Sequence, residues 1–469
     1  MWRPDLPSGS APLYERLADV MECDVLSGRL IAGTRLPPQR DLAYALGISV
    51  GSVTKAYAEA ERRGLLHARV GRGSYVRGIA AATRDGPTFE SEASESAGND
   101  VIDLRCNTPP PVPLAEALNK AVSELALRNA LEPAVQYVPS TGLAVVRMAG
   151  AQWISSRYGF DCTADDLIQC NGGQHAITLV FSSFCRPGDT ILCGSSTFYG
   201  ARVAAEHLGM TLRGVTMDSQ GLLPEALARA AAETRSRLLF TVPTLHNPTT
   251  RTMSRTRRME IAEVARQYDL TIFENDAYYA YADPDGRPPQ IATFAPERTL
   301  YLVSLSKGVC PGFRLAFLAL PRGMARDRIL RGIRALGYCP PTLGALVFAR
   351  WVEDGMADAI ADSIQAEAGI RLEMARAALG VLMSSPGAAR TPHVWLPMSA
   401  LEAERVAARA LRGGVEITPP DVSIVSDDAD TGLRLCLGAA RDRETLLRAL
   451  AVVTDACTRH QLCSGEGIM

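Results

Sequence analysis

Two kinds of hydrophobic spacing divide the chain. Residues 13, 17, 20, 21 and 25 are apolar, a stripe at helical period. Boundary signals follow in "AGTRLPPQRDLAYALG", with Pro37 and Pro38 at a helix start and Gly47 at its end. Ser49 is placed to cap a further helix. In it Val53, Ala56, Tyr57 and Ala60 recur at i, i+3, i+4 and i+7 and face a core, while Ser52, Thr54, Lys55 and Glu59 face out. "LLHARVGRGSYV" then alternates around Gly-Arg-Gly, as a β-hairpin does. From residue 101 the pattern changes to short apolar runs alternating with amphipathic stretches, which predicts an α/β region. Between the two lies "AAATRDGPTFESEASESAGND", small, polar and acidic without a period, which reads as a flexible acidic tether. The expected divisions are therefore 8–79, a linker at 80–100, and 101–469.

Composition changes this picture little. Apolar residues at 47% and charged residues at 21% describe an ordinary soluble globular protein. The net charge of −2 hides a local bias: residues 1–79 hold ten arginines and one lysine against eight acids. The eleven cysteines are scattered, with no C-x-x-C pair and no histidine cluster at zinc spacing, which argues for reduced thiols and against a metal site. No apolar signal core opens the sequence and no segment has spanning length, so a cytoplasmic protein without membrane contact is expected.

The first unit has the order helix, short capped helix, second helix, basic hairpin, which is that of a winged helix-turn-helix. Arg72 at the hairpin tip suits a phosphate or a minor groove. The bland alternative is a small helical module that packs on the large domain and binds nothing. Residues 12–77 resemble the GntR-type transcription regulators through "SGRLIAGTRLPPQRDLA", "LGISVGSVTKAY" and "GRGSYV". That resemblance implies double-stranded DNA as partner, met by Arg40, by Ser49, Ser52, Thr54 and Lys55, and by Arg72 with Gly73. Many GntR proteins carry an arginine early in the recognition helix; here Val50-Gly51 stands there, which shifts the expected contact toward backbone and wing.

Candidate chemistry in the second unit collects at the ends of strand-like runs. Only three lysines occur, Lys55, Lys120 and Lys307, in a chain with 49 lysines and arginines together. Lys307 ends "LYLVSLSK"; Asp276 and Tyr279 follow "LTIFEN"; Asn247 follows "RLLFTVPTLH". Ligands of open parallel sheets bind beyond the carboxyl ends of strands. A lysine, an acid, an amide and a phenol gathered there fit a covalently held aldehyde, pyridoxal 5'-phosphate. Lys307 would bond its aldehyde as a Schiff base, the internal aldimine, and Asp276 would keep the ring nitrogen protonated. Asn247 and Tyr279 would meet its phenolate oxygen. The amides of Gly172, Gly173 and Gln174 at a helix start, with Ser304, Ser306 and Arg314, would receive the phosphate. Phe198 is the candidate for the ring face. Each feature has an ordinary structural reading alone, as turn, cap or connection. Their joint order is what points to the cofactor.

That order resembles the class I/II aminotransferases of fold type I over most of residues 100–465. The resemblance rests on "YVPSTGLAVVRMAGAQWI", "ENDAYYAY", "SLSKGVCPGFRLAFL" and "TGLRLCLG". Cys310 and "TPPD" at 418–421 depart from the family pattern without touching the lysine. It implies an α/β transferase fold with a smaller C-terminal α+β subdomain. It also implies that Arg434 grips a substrate or effector carboxylate and that Tyr137 reaches the phosphate in the partner subunit of a homodimer. The whole chain resembles the MocR subfamily of GntR-type regulators. Two readings stay open: a DNA-binding regulator that senses an amino compound or pyridoxal phosphate itself, and a working aminotransferase with an accessory DNA-binding module.

Overall fold

The apolar stripe of the first unit lies on helix α1 (Leu13–Leu26), where Leu17 and Met21 are fully buried. The structure, a computed structural model, describes residues 2, 4, 6, 12–26, 29–30, 34–62, 65–69, 73–76, 101–283, 286–321, 323, 326–386 and 388–464. Helix α2 (Gln39–Leu46) begins after Pro38 and stops at Gly47, whose φ of +66° is the left-handed conformation that ends a helix without a Cβ clash. Helix α3 (Val50–Arg62) is started by Ser49, whose Oγ accepts from the Ser52 N–H at 3.1 Å. Val53, Ala56, Tyr57 and Ala60 close the core against Leu17, Leu30, Leu42 and Val76. The Tyr57 hydroxyl donates to the Pro37 carbonyl at 2.8 Å and ties α3 to the start of α2. Strands β1 (Leu66–Arg69) and β2 (Gly73–Val76) pair antiparallel, Leu66 with Val76 and Arg69 with Gly73. The tip residue Arg72 lies outside the described residues, as does the expected tether at 80–100. The chain divides into two units between Thr88 and Phe89.

The second unit opens with β3 (Ile102–Asp103), α4 (Ala115–Leu127) and α5 (Ala144–Tyr158). Its sheet is entered through β4 (Leu167–Asn171), α6 (Gly172–Phe184), β5 (Thr190–Gly194), α7 (Tyr199–His207) and β6 (Thr211–Val215). A short hairpin follows, β7 (Met217–Asp218) with β8 (Gly221–Leu222), then α8 (Pro224–Thr234). The sheet is completed by β9 (Leu238–Thr241), α9 (Arg255–Gln267), β10 (Thr271–Asn275), α10 (Ile291–Phe294), β11 (Thr299–Ser304) and β12 (Leu315–Ala319). Three helices, α11 (Arg326–Gly337), α12 (Leu343–Glu353) and α13 (Met356–Leu379), lead to a C-terminal lobe. That lobe holds β13 (His393–Pro397), α14 (Ala400–Arg412), β14 (Val415–Glu416), β15 (Gly432–Cys436) and α15 (Arg443–Ser464).

The seven strands lie in the order β4-β12-β11-β10-β9-β5-β6. Only β12 runs against its neighbours. Both faces are covered, as near-continuous apolar strands require. Leu238, Phe240 and Phe273 enter one core with Trp153, Phe181 and Phe317, while the alternate residues Leu239 and Ile272 enter another with Leu227 and Ile261. The lobe has a third core around Leu372, Val394, Leu433 and Leu450, to which Leu104 also belongs. Strand β3 pairs with β14, so the segment just after residue 103 is tied to the lobe although it opens the unit. That tie sets up the site described below. No helix among the described residues is long and apolar enough to cross a membrane.

Helix α5 lies against the sheet at Gly150, where an added Cβ would sit 2.6 Å from the Phe317 ring. Gly150→Val is expected to cost about 1–3 kcal/mol by overpacking, read as a lower denaturant midpoint.

Candidate functional site

The reversed strand β12 builds one half of the site. It sits between β11 and β4, pairing Leu315 with Asn171 and Ala316 with Ser304. Arg314, just before β12, is thereby brought beside Gly172 and the end of β11. The fit is close: a Cβ on Gly172, which has φ +75°, would lie 2.5 Å from Arg314 Nη2. A Cβ on Gly173 would meet Ser304 Oγ at 3.5 Å, and Arg314 Nη1 lies 3.5 Å from Ser306 Oγ. Gly172 and Gly173 open α6, so its first amides are free of helical partners and the helix's positive end faces this cluster. Gln174 sends its side-chain amide to the Gly200 carbonyl at 2.7 Å, leaving its backbone N–H for the same cluster. Phe198 reaches this region too, because Gly200 makes room for both its ring and the Gln174 amide. Glycine amides, two hydroxyls and a guanidinium form a cradle for a dianion.

The other half grows from β10. Asp276 follows its last residue and is anchored by its N–H on the Leu302 carbonyl at 3.1 Å. The carboxylate is fully buried; Oδ2 accepts from the Tyr301 hydroxyl at 3.3 Å, and Oδ1 has no hydrogen-bond partner. Burial raises its pKa, opposed by the Arg258 guanidinium and the Thr244 and Tyr301 hydroxyls. Arg258 is itself sealed, 3.6 Å from Glu274, and donates to Thr244 Oγ1 and to the carbonyls of Pro243 and Met253. An unpartnered carboxylate oxygen in a dry site calls for a donor, and a protonated ring nitrogen is one.

The phenol of the site is Tyr278, and the expectation of Tyr279 is corrected. Tyr279 turns away into a 3-10 turn (Tyr279–Tyr281), stacked on Tyr158 at 5.5 Å with its hydroxyl on the Pro288 carbonyl at 3.2 Å. Tyr278 Oη instead accepts from Asn247 Nδ2 at 3.2 Å and from Asn107 Nδ2 at 3.0 Å. The Asn247 amide is oriented by Arg434, whose Nη1 donates to its Oδ1 at 2.8 Å. With both lone pairs of Tyr278 filled by N–H donors, its own proton is left to a further acceptor. Burial drives this phenol's pKa up to about 12, so the proton is present at neutral pH.

Lys307 lies between the halves, its Nζ donating to the Asn107 carbonyl and its carbonyl accepting from the Tyr281 hydroxyl at 2.6 Å. Burial lowers its pKa; the thiols of Cys106 and Cys436 oppose this, and Arg434 and Arg314 add to it. Arg434 also donates through Nη2 to the Arg105 carbonyl at 2.8 Å and to Thr418 Oγ1 at 3.0 Å, while its Nε is buried without a partner. Tyr137 is not part of this cluster. It is 84% exposed, edge-on to Tyr338 at 5.1 Å, on a surface groove of about 870 Å3 that also includes Asn171.

Asn107 and His393 are functional candidates that sequence reading missed. Asn107 sits in an irregular stretch, and its partners Tyr278 and His393 are 171 and 286 residues away. Tyr278 was hidden by its neighbour: two adjacent tyrosines after a strand offer no spacing rule to choose between them. On the first unit, Arg40, Ser49, Thr54 and Lys55 are exposed and Ser52 is half-buried. Thr54 Oγ1 donates to Gln39 Oε1 at 2.8 Å, coupling the outer faces of α2 and α3.

The arrangement fits pyridoxal 5'-phosphate: it offers a dianion cradle, a buried carboxylate oxygen without a partner, a phenol proton and a buried amine. Comparison with known proteins agrees. Residues 99–453 match the aminotransferase class I and II family, and residues 13–76 match the bacterial regulatory proteins of the gntR family. The uncharacterized HTH-type transcriptional regulator YdeF of Bacillus subtilis (strain 168) is 28% identical over 464 residues, 96% of each chain. The probable rhizopine catabolism regulatory protein MocR of Rhizobium meliloti is 25% identical over 362 residues, 73% of this chain and 72% of its own. Among solved structures, the multiple substrate aminotransferase of Thermococcus profundus superposes with a TM-score of 0.69 at 24% identity, covering 78% of this chain and 93% of that one.

The two tyrosines make the assignment testable. A hydroxyl donating to an anionic ring oxygen favours the anion, so Tyr278→Phe is expected to move the pH midpoint of the visible cofactor band upward by about one unit. Tyr279→Phe is expected to leave that midpoint in place.

Proposed function

The chain belongs to the aminotransferase class I and II family and carries a GntR-family DNA-binding domain ahead of it, and from that premise we propose a regulator that reads an amino compound. It is a pyridoxal-phosphate-dependent transcription regulator with the domain order of the MocR proteins. The observation that supports this reading is that one chain joins the outward polar face of α3, in a GntR-family domain, to an aminotransferase-family domain with a buried lysine among residues suited to pyridoxal phosphate.

The chemistry assigns roles to the residues. Pyridoxal 5'-phosphate supplies, when bound, an aldehyde for amines and a ring that withdraws electrons. Lys307 Nζ is its point of attachment, available because burial favours the neutral amine. Gly172, Gly173, the Gln174 N–H, Ser304, Ser306 and Arg314 hold the phosphate; Phe198 covers a ring face. Asp276 would keep the ring nitrogen protonated, its carboxylate held by the Tyr301 hydroxyl and favoured as the anion by the charge of Arg258. Tyr278 and Asn247 hold a proton and an amide donor toward the ring oxygen, and Arg434 receives the carboxylate of an incoming amino compound. An amino compound bound there would carry a signal only if it bound two arrangements of the protein unequally. Pyridoxal phosphate itself is a second possible signal through the same site.

A homodimer suits the exposure of Tyr137, Tyr338, Leu336 and Leu343 around the two grooves that share Asn171 and Pro341. In it, Tyr137 reaches the phosphate of the partner subunit. Binding to a bacterial operator places the protein in the cytoplasm. The second reading, a working aminotransferase, is supported by the completeness of the same residues, since amine exchange and amino-group transfer need nearly the same set.

Three results check the proposal. Purified protein is expected to absorb in the visible, and Lys307→Ala to lose that band; an unchanged band removes the attachment point. Loading of the apoprotein is expected to rise with pH with a midpoint below 10.5, the value of an ordinary lysine, because burial disfavours the charged amine. Upstream DNA is expected to be retarded in a salt-dependent way, with Lys55→Ala lowering the log–log salt slope by about 1. Absence of retardation at low salt refutes the regulator. Multiple turnovers with a keto-acid acceptor, at ordinary enzyme rates, favour the aminotransferase.

A further inference from the structure

A chain of oriented hydrogen bonds ends at an empty acceptor. His393, on β13, is fully buried with Nε2 3.4 Å from the His246 carbonyl and Nδ1 3.1 Å from Asn107 Nδ2. Burial, aided by Arg434, pushes its pKa down to about 3, so the ring is neutral and carries one N–H. A carbonyl only accepts, so that hydrogen is on Nε2 and Nδ1 is the acceptor. Asn107 must then present its NH2 to His393, and the second hydrogen goes to Tyr278 Oη at 3.0 Å. Both amide hydrogens are used, which leaves Oδ1 fixed in direction. It is buried and has no partner.

This oxygen lies beside the amine site. The carbonyl of the same residue accepts from Lys307 Nζ, and the Arg105 carbonyl, two positions earlier, accepts from Arg434 Nη2 at 2.8 Å. Two buried polar atoms of opposite sense therefore wait without partners near Lys307: Arg434 Nε–H, a donor, and Asn107 Oδ1, an acceptor. A carboxylate satisfies the first and cannot satisfy the second, because two acceptors repel. We propose that Asn107 is a specificity-determining residue for the effector, and that the effector is an α-amino acid whose side chain carries a hydroxyl or N–H donor directed at Asn107 Oδ1. His393 is a positioning residue that acts through Asn107. This inference rests on the amine-sensing reading and narrows its ligand class.

The test compares probes that differ by one donor: L-alanine with L-serine, and L-2-aminobutyrate with L-2,3-diaminopropionate. Each is titrated into the cofactor-loaded full-length protein, following the visible band. The donor-bearing member of each pair is expected to half-saturate at a concentration about tenfold lower or better, since a buried acceptor left unmet weakens the analogue. In Asn107→Ala, and in the closer-sized Asn107→Leu, the ratio within each pair is expected to fall to near one. Equal half-saturation in the wild-type protein overturns the inference, and would mean that the displaced Lys307 amine fills the acceptor. A ratio kept in a loaded variant overturns it as well. A preparation with no visible band overturns the cofactor reading itself, a failure distinct from a normal band without preference.

Discussion

Two carboxylates and one guanidinium share the sealed end of β10, and much of the second unit is arranged around that charge. Glu274, Asp276 and Arg258 are all fully buried. Glu274 is met by the N–H groups of Ile291 and Ala292 at 2.9 Å each, which ties α10 to the strand. Arg258 reaches across to the segment after β9 and fixes it through the carbonyls of Pro243 and Met253. Asp276 raises the pKa of Glu274 in addition to burial. A dry cluster with two acids and one base favours protonation of Glu274, which leaves Arg258 to balance Asp276. The charge state of Asp276 and the integrity of this end of the sheet are thus linked.

The second constraint is strand direction. Were β12 parallel like the rest, its first residue would lie at the opposite edge of the sheet and Arg314 would be far from Gly172. Reversal brings the residue before β12 to the same edge as the residues after β4, β10 and β11. One antiparallel strand therefore converts a row of strand ends into a cradle with a cation, while Gly172 supplies the space that the guanidinium occupies.

Periodicity and punctuation revealed the small unit well: Pro38, Gly47 and Ser49 act locally, so their effects are written in adjacent residues. In the large unit, legible features were those attached to strand ends, namely Lys307, Asp276, Asn247 and the Gly172 turn. Residues brought in by pairing between distant segments were not. Asn107 comes to the site because β3 joins β14, and His393 because β13 pairs with β15 across from Cys436. Neither pairing has a local signature. Arg434 was found through family likeness, yet its hold on Asn247 Oδ1, which orients the amide toward Tyr278, is a matter of geometry alone.

The polarity of the Asn107 amide originates in a main-chain atom. The carbonyl of residue 246 is present whatever side chain that position carries, and its loop is held by the 246 N–H on the Arg251 carbonyl at 2.7 Å. Substitutions there can change packing, but none deletes the oxygen. Amino-acid drift can therefore reshape the pocket around Asn107 while the direction of its amide is inherited from backbone, a part of the message that mutation at residue 246 does not rewrite.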